Sequence, residues 1–304
     1  LAGDIGGTNT NLGLVGYKKG KFTLILETVF PSATLTSLAE PLAETLKIAK
    51  EHSPELKPEY CCISAAGPVS NNRCVMTNLS WDIDGNALTT IIGIPVMIIN
   101  DFVAISYGIP TLDVEDPTQI HKLVHSDGSY AQPQLATKAV IGPGTGMGVS
   151  FLAFDGKRHI PASSEGGHMS FSPFDEDSRS FCDYMTKKLG TQPGVEVFVS
   201  GLGISNMYEW WKATKGIPSN PLFQKIEETE PSDRPKYISR ASDTDPVAAE
   251  MMRLFVKMLG RFASDVSALL LPLGGLYLAG GTVQKDMRWL ERDHLFMKYF
   301  EKNY

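Results

Sequence analysis

A short apolar stretch that ends in a glycine turn and runs into a second apolar stretch occurs twice in this chain. That repetition constrains the fold more than any other feature. At the N-terminus Leu1 to Ile5 reads as a strand, Gly6-Gly7-Thr8-Asn9 as a turn, and Leu12 to Val15 and Phe22 to Val29 as following strands. In the second half Lys138 to Ile141 runs into the loop Gly142 to Gly148, and Val149 to Phe154 follows as a strand. Glycine and polar turn residues between apolar runs are the punctuation of a strand meander.

Between and after these meanders the period changes. Leu38, Leu42, Leu46 and Ala49 lay one apolar stripe along a helix predicted over Leu35 to His52. Tyr60 to Ala65 and Val96 to Ile99 read as buried strands, the second delivering Asn100-Asp101 at its end, with a helix over Phe102 to Tyr107. Helices are predicted over Asp177 to Leu189 and Pro246 to Leu271, and a strand over Leu276 to Leu278. Strands alternating with helices predict an α/β architecture. Asp113 to Thr137 is polar and reads as a surface excursion separating two halves; Pro218 to Asp245, dotted with proline, reads as a long irregular connection. At 304 residues the chain is long enough for two domains with a binding cleft between them.

Charge narrows the function. The chain carries 28 Lys+Arg against 34 Asp+Glu, a formal net charge of −6. No basic run exceeds a pair such as Lys187-Lys188, which argues against a nucleic-acid binder and against tight binding to an anionic membrane. Cys61, Cys62, Cys74 and Cys182 show no paired CxxC spacing, so neither a zinc site nor a disulfide framework is expected and a reducing, cytoplasmic home fits. No apolar run reaches the ~20 residues that span a bilayer.

Five motifs carry candidate chemistry. Gly3-Asp4-Ile5-Gly6-Gly7-Thr8-Asn9 places a carboxylate at a strand end before a glycine turn. Such a turn can aim backbone N–H groups at phosphate oxygens, and Asp4 can hold a hydrated Mg²⁺; the alternative is a plain hairpin turn. Gly142 to Gly148, with four glycines in seven residues, suits a second phosphate cradle or a loop without a ligand. It matches neither the dinucleotide fingerprint, since Met147 or Val149 stands at the third glycine position, nor the P-loop, which needs a lysine. Asn100-Asp101 sits where α/β sheets expose functional groups: Asp101 can accept a hydroxyl proton, or merely cap the next helix. Glu165 and His168, within Ser164 to His168, and Glu196 suit recognition of a polyhydroxylated ligand, or are an ordinary structural histidine and surface acids. Gly280-Gly281 follows a strand, where a nucleoside can approach the backbone or the chain simply turns into a helix.

Taken together and in order, GDIGGTN (3 to 9), MTNLSW (76 to 81), INDF (99 to 102), GPGTGMG (142 to 148), SEGGH (164 to 168), the Glu196 to Gly201 segment and AGGTV (279 to 283) resemble the bacterial glucokinase family. This family belongs to the superfamily of sugar kinases, heat-shock chaperones and actin. The resemblance implies a two-domain actin-like ATPase (ribonuclease H-like) α/β fold, with a smaller domain over 1–102, a larger one over 103–304 and a deep cleft between them. It implies ATP-dependent phosphorylation of the 6-hydroxyl of glucose with Mg²⁺, in a homodimer. By position, Asp101 matches the general base, and Asn100, Asp101, Glu165, His168 and Glu196 the sugar-binding residues. Gly3, Asp4, Ile5, Gly6, Gly7, Thr8 and Asn9 match the first phosphate loop, with Asp4 beside Mg²⁺. Gly144, Thr145 and Gly146 match the second loop, and Gly280 and Gly281 the adenosine-side turn. The cysteine-rich zinc motif that a related group carries near its histidine is not matched, so no structural zinc is expected. Family members continue past the segment around Tyr304 with a strand and helix that return to the first domain, so a truncated C-terminus is expected. A kinase for another hexose or amino sugar, and a sugar sensor without catalysis, are the alternatives.

Overall fold

The structure is a computed structural model that describes residues 1–76, 79 and 81–303. Thr77, Asn78 and Ser80 of the 76–81 motif, and Tyr304, lie outside the described residues. The chain divides into two compact units, Leu1–Ile105 and a second opening at Ser106.

In the first unit β1 (Ala2–Ile5), β2 (Asn9–Lys18) and β3 (Lys21–Pro31) form the predicted meander, joined by α1 (Ala39–His52) to β4 (Cys61–Ala65). A small three-stranded sheet follows, β5 (Val69–Ser70), β6 (Arg73–Cys74) and β7 (Ile83–Asp84), then α2 (Gly85–Ile92), β8 (Val96–Asn100) and α3 (Asp101–Gly108). The main sheet runs β3-β2-β1-β4-β8. Its first three strands are antiparallel neighbours, whereas β1, β4 and β8 are parallel. Thr10, Leu12 and Leu14 alternate inward on β2, and Leu42, Thr45 and Ala49 of α1 are buried with them. Helix α1 starts later than its apolar stripe, because Ser32–Thr34 forms a 3₁₀ turn tied down by Ser32. Starting at Ala39 also keeps Pro41, which lacks an N–H, in the first turn.

The second unit repeats the order. Strands β9 (Lys138–Pro143), β10 (Met147–Phe154) and β11 (His159–Ser164) form an antiparallel meander. The elements α4 (Glu176–Leu189), α5 (Gly201–Thr214), α6 (Pro221–Glu227), α7 (Arg234–Ala241), α8 (Pro246–Leu270) and β12 (Leu276–Leu278) follow. The chain closes with α9 (Gly281–Lys285), α10 (Met287–Glu291) and α11 (Leu295–Phe300). The sheet runs β11-β10-β9-β12 with β12 parallel to β9. Each unit therefore has a meander whose first strand also pairs, in parallel, with a strand much later in the chain.

The expectation of a long irregular connection over Pro218 to Asp245 is corrected: the segment holds α6 and α7. Pro221 and Pro235 occupy the first turns of these helices, where a missing N–H costs nothing, and Pro221 follows Asn220, whose side chain accepts from Phe223 N–H at 3.0 Å. Phe223, Ile226 and Ile238 are fully buried, anchoring the two helices on the core around α8. Helix α8 itself is capped by Asp245, which accepts the N–H groups of Val247 and Ala248, each at 2.9 Å.

Candidate active site

In the first unit the parallel strands β1, β4 and β8 end together, with Ile5 paired to Ala65 and Ala65 to Asn100. The turn after β1 and the pair Asn100-Asp101 thus emerge at one sheet edge, where α/β folds collect their chemistry. Gly6 N–H donates to Asn9 O at 2.9 Å, closing the turn. Ser32 holds it from outside: its Oγ donates to Gly6 O at 2.7 Å and its N–H to Thr8 O at 2.9 Å. Gly7, Thr8 and Asn9 remain exposed. Gly3 and Ile5 are placed differently: Ile5 is buried in the core, and a Cβ at Gly3 would crowd the side chains of Leu12 and Ile63. Asp4 is exposed, with Oδ1 accepting from Ser64 Oγ at 2.8 Å. Motif reading missed Ser64; a hydroxyl near the end of an otherwise apolar strand was its signal.

Asn100 does the capping that was the alternative role for Asp101. Its Oδ1 accepts Phe102 N–H at 2.9 Å and Val103 N–H at 3.3 Å, and its Nδ2 donates to Gly67 O at 3.2 Å. Asp101 Oδ1 also accepts Phe102 N–H, at 2.9 Å. Burial raises the Asp101 carboxyl above the ordinary aspartate range. Hydrogen bonds from Phe102 and Asn100 oppose that rise, and the negative charge of Asp4 adds to it.

In the second unit β9 and β12 end side by side. The glycine loop is a tight hairpin: Pro143 pairs with Met147, and Gly144 N–H donates to Gly146 O at 2.8 Å. The turn Gly280-Gly281 lies at the same edge, with Ala279 N–H on Ile141 O at 2.9 Å and Gly280 at φ 94°, a conformation that favours glycine. Glu196, in a 3₁₀ turn, reaches the hairpin, its Oε2 accepting Met147 N–H at 2.9 Å. Glu165 and His168 form an exposed pair 3.7 Å apart. The backbones here approach closely. A Cβ at Gly146 would collide with the Glu196 carboxylate, one at Gly167 with Met147 O, and one at Gly194 would crowd the His168 backbone.

Helix α5 backs this arrangement. Gly201 N–H donates to Gly144 O at 2.8 Å and Leu202 N–H to Thr145 O at 3.3 Å. Ser200, fully buried, accepts from Gly203 N–H at 3.0 Å and donates to Glu196 O at 2.6 Å. Sequence reasoning did not single out Ser200, although a serine before a glycine-opened helix is a capping signal.

Among the described residues no group of three or more His, Cys, Asp or Glu side chains is arranged to hold a metal ion. Likewise no helix among them is long and apolar enough to cross a membrane.

A family model described as Glucokinase matches residues 1–303. The chain belongs to the glucokinase family. Among the glucokinases it resembles, that of Nostoc punctiforme is 33% identical over 318 residues, spanning 99% of this chain and 89% of the relative. That of Synechocystis sp. is 31% identical over 325 residues, with 99% and 89% covered. The crystal structure of glucokinase from an Antarctic psychrotroph superposes with a TM-score of 0.78 at 26% identity, covering 99% of this chain and 88% of that one. A ROK family glucokinase from Streptomyces griseus, solved with glucose and AMPPNP, shares the fold at a TM-score of 0.62 and 19% identity, with 98% and 88% covered. The glucokinase-family fold is that of the actin-like ATPases, and the doubled sheet order of the two units is its form in this chain.

Proposed function

We propose that this chain transfers the γ-phosphoryl group of ATP to the 6-hydroxyl of glucose, with Asp101 as the general base. The observation that carries the reading is the placement of Asp101. It follows the last parallel strand of its sheet, beside a glycine turn fit to receive phosphate, with its carboxyl raised by burial above the ordinary aspartate value. The carboxylate accepts the hydroxyl proton as the 6-oxygen attacks the γ-phosphorus and the bond from that phosphorus to the ADP oxygen breaks, and the carboxyl then releases the proton to water.

Phosphoryl transfer asks a protein mainly to position reactants and neutralise charge. In the second unit Glu165, His168 and Glu196 supply acceptors and donors for sugar hydroxyls, and Asn100 adds a further amide in the first. Gly7 and Thr8 of the exposed turn and Thr145 and Gly146 of the hairpin Gly144 to Gly146 offer backbone N–H groups to phosphate, and Gly280-Gly281 offers a side-chain-free surface to the nucleoside. Asp4, exposed and oriented by Ser64, would hold a hydrated Mg²⁺ through one carboxylate. That ion supplies charge neutralisation at the phosphates. A cytoplasmic homodimer completes the proposal, and light scattering coupled to gel filtration tests the assembly.

The direct test is ADP release with Mg·ATP across glucose, mannose, fructose, glucosamine and a no-sugar control. Turnover restricted to glucose supports the reading. A different preferred sugar keeps the mechanism and replaces the substrate; binding of glucose without turnover in any arm favours a sensor.

A further inference from the structure

The proposed sugar acid and the proposed phosphate hairpin share a hydrogen bond. Glu196 Oε2 accepts the N–H of Met147, the residue that closes the hairpin, and the carboxylate occupies the space a side chain at Gly146 would need. The hairpin is held from a second side by the first N–H groups of α5, on Gly144 O and Thr145 O. Both holds depend on one buried hydroxyl: Ser200 Oγ caps α5 at Gly203 N–H and donates to the carbonyl of Glu196 itself.

We infer that Glu196 latches the phosphate hairpin, so that the polyol and the nucleoside triphosphate bind to this unit with positive coupling, and that Ser200 is the positioning residue of the latch. The inference rests on the kinase reading above and goes beyond it. A carboxylate has two oxygens. While one accepts Met147 N–H, the other can accept a sugar hydroxyl, and a hydroxyl fixing the rotamer of Glu196 also fixes the orientation of the Met147 amide. The hairpin is the bistable element. With glycine at 144 and 146 it has the backbone freedom to sit latched or released, and only the latched form keeps its N–H groups aimed for phosphate. Coupling of this kind is reciprocal: phosphate that favours the latched hairpin must tighten sugar by the same factor.

Calorimetric titration of the full chain with glucose, with AMPPNP·Mg²⁺, and with each in the presence of the other reads the coupling. The wild type is expected to bind glucose about 5- to 150-fold tighter in the presence of AMPPNP·Mg²⁺, with the same factor in the reverse order. Gly146→Ala, whose Cβ displaces the carboxylate, is expected to bind both ligands more weakly and with a coupling factor near one. Should that variant fail to fold, Glu196→Asp, which withdraws the carboxylate by one methylene, is expected to lose the coupling in the same way. Ser200→Ala is expected to lower it while Ser200→Thr restores it, a rescue that general destabilisation would not give. Wild-type coupling retained in Gly146→Ala or Glu196→Asp overturns the latch. So does a wild type that phosphorylates glucose yet binds the two ligands independently, an outcome that leaves the kinase reading standing. A wild type that neither turns over nor binds glucose overturns both.

Discussion

Asn100 and Asp101 share one backbone N–H, that of Phe102, which lies 2.9 Å from an oxygen of each. The amide also takes Val103 N–H and so caps the helix. The carboxylate occupies the first helical position, half-buried, and burial raises it above its ordinary value. Neighbouring residues of similar shape thereby differ: Asn100 caps the helix, and Asp101 is the proposed base.

Replacing each residue should therefore give opposite signatures. Asp101→Asn is expected to lower turnover on the order of 10²- to 10⁴-fold while sparing glucose affinity. Asn100→Ala is expected to lower stability by about 1 kcal/mol through loss of the cap. Steady-state kinetics, calorimetry and urea denaturation on the same two variants check both statements. Near-full turnover in Asp101→Asn removes it as base.

The raised Asp101 carboxyl has a pH consequence. A folded state that holds its proton more tightly than the unfolded chain gains stability as pH falls through the folded pKa, and loses that gain as pH rises. Asp101→Asn is therefore expected to be more stable than wild type at neutral pH, with the advantage shrinking toward the ordinary aspartate value of 3.8. The acid limb of the wild-type rate profile is expected to lie above 3.8 for the same reason. Denaturation midpoints and kcat/KM measured from pH 4 to 8 test the pair.

Much of this arrangement is readable in residues, and the unreadable part has a physical cause. Strands β4, β8, β9 and β12 announce themselves as short, largely apolar runs between turn signals, the form parallel strands commonly take. The motif order locates Asp4, Asp101, Glu196 and the glycine hairpin on their elements. Helices α6 and α7 were masked by prolines that read as breakers until the preceding Asn220 is taken as a cap. The work of Ser32 is invisible in one dimension, because it acts on Gly6 and Thr8, which only the fold brings near, whereas Ser64 and Ser200 leave weak local signals but not their partners Asp4 and the Glu196 carbonyl.

Glycines of different jobs should respond differently. Gly167→Ala drives a Cβ into Met147 O and is expected to cost about 1–3 kcal/mol. Gly108→Ala, in α3 with nothing within 4 Å, is expected to be neutral or to stabilise by roughly 0.5–1 kcal/mol. Thermal melts of the two variants provide the comparison.

The cysteines should be inert in the folded chain. All four are free; Cys61 is pushed up to about 11 by burial, and burial raises Cys62 and Cys74 as well. A thiol reagent at pH 8 is expected to react slowly with native protein and with four thiols after denaturation. Fast reaction of the native chain would contradict the packing of β4.

The central claim is transfer to one particular oxygen, and phosphorus NMR of the reaction with Mg·ATP reads it directly. With glucose the account predicts a new phosphomonoester signal showing coupling to the carbon-6 protons, and with 6-deoxyglucose it predicts none. A phosphomonoester formed on 6-deoxyglucose, or a glucose product phosphorylated at another carbon, would contradict it.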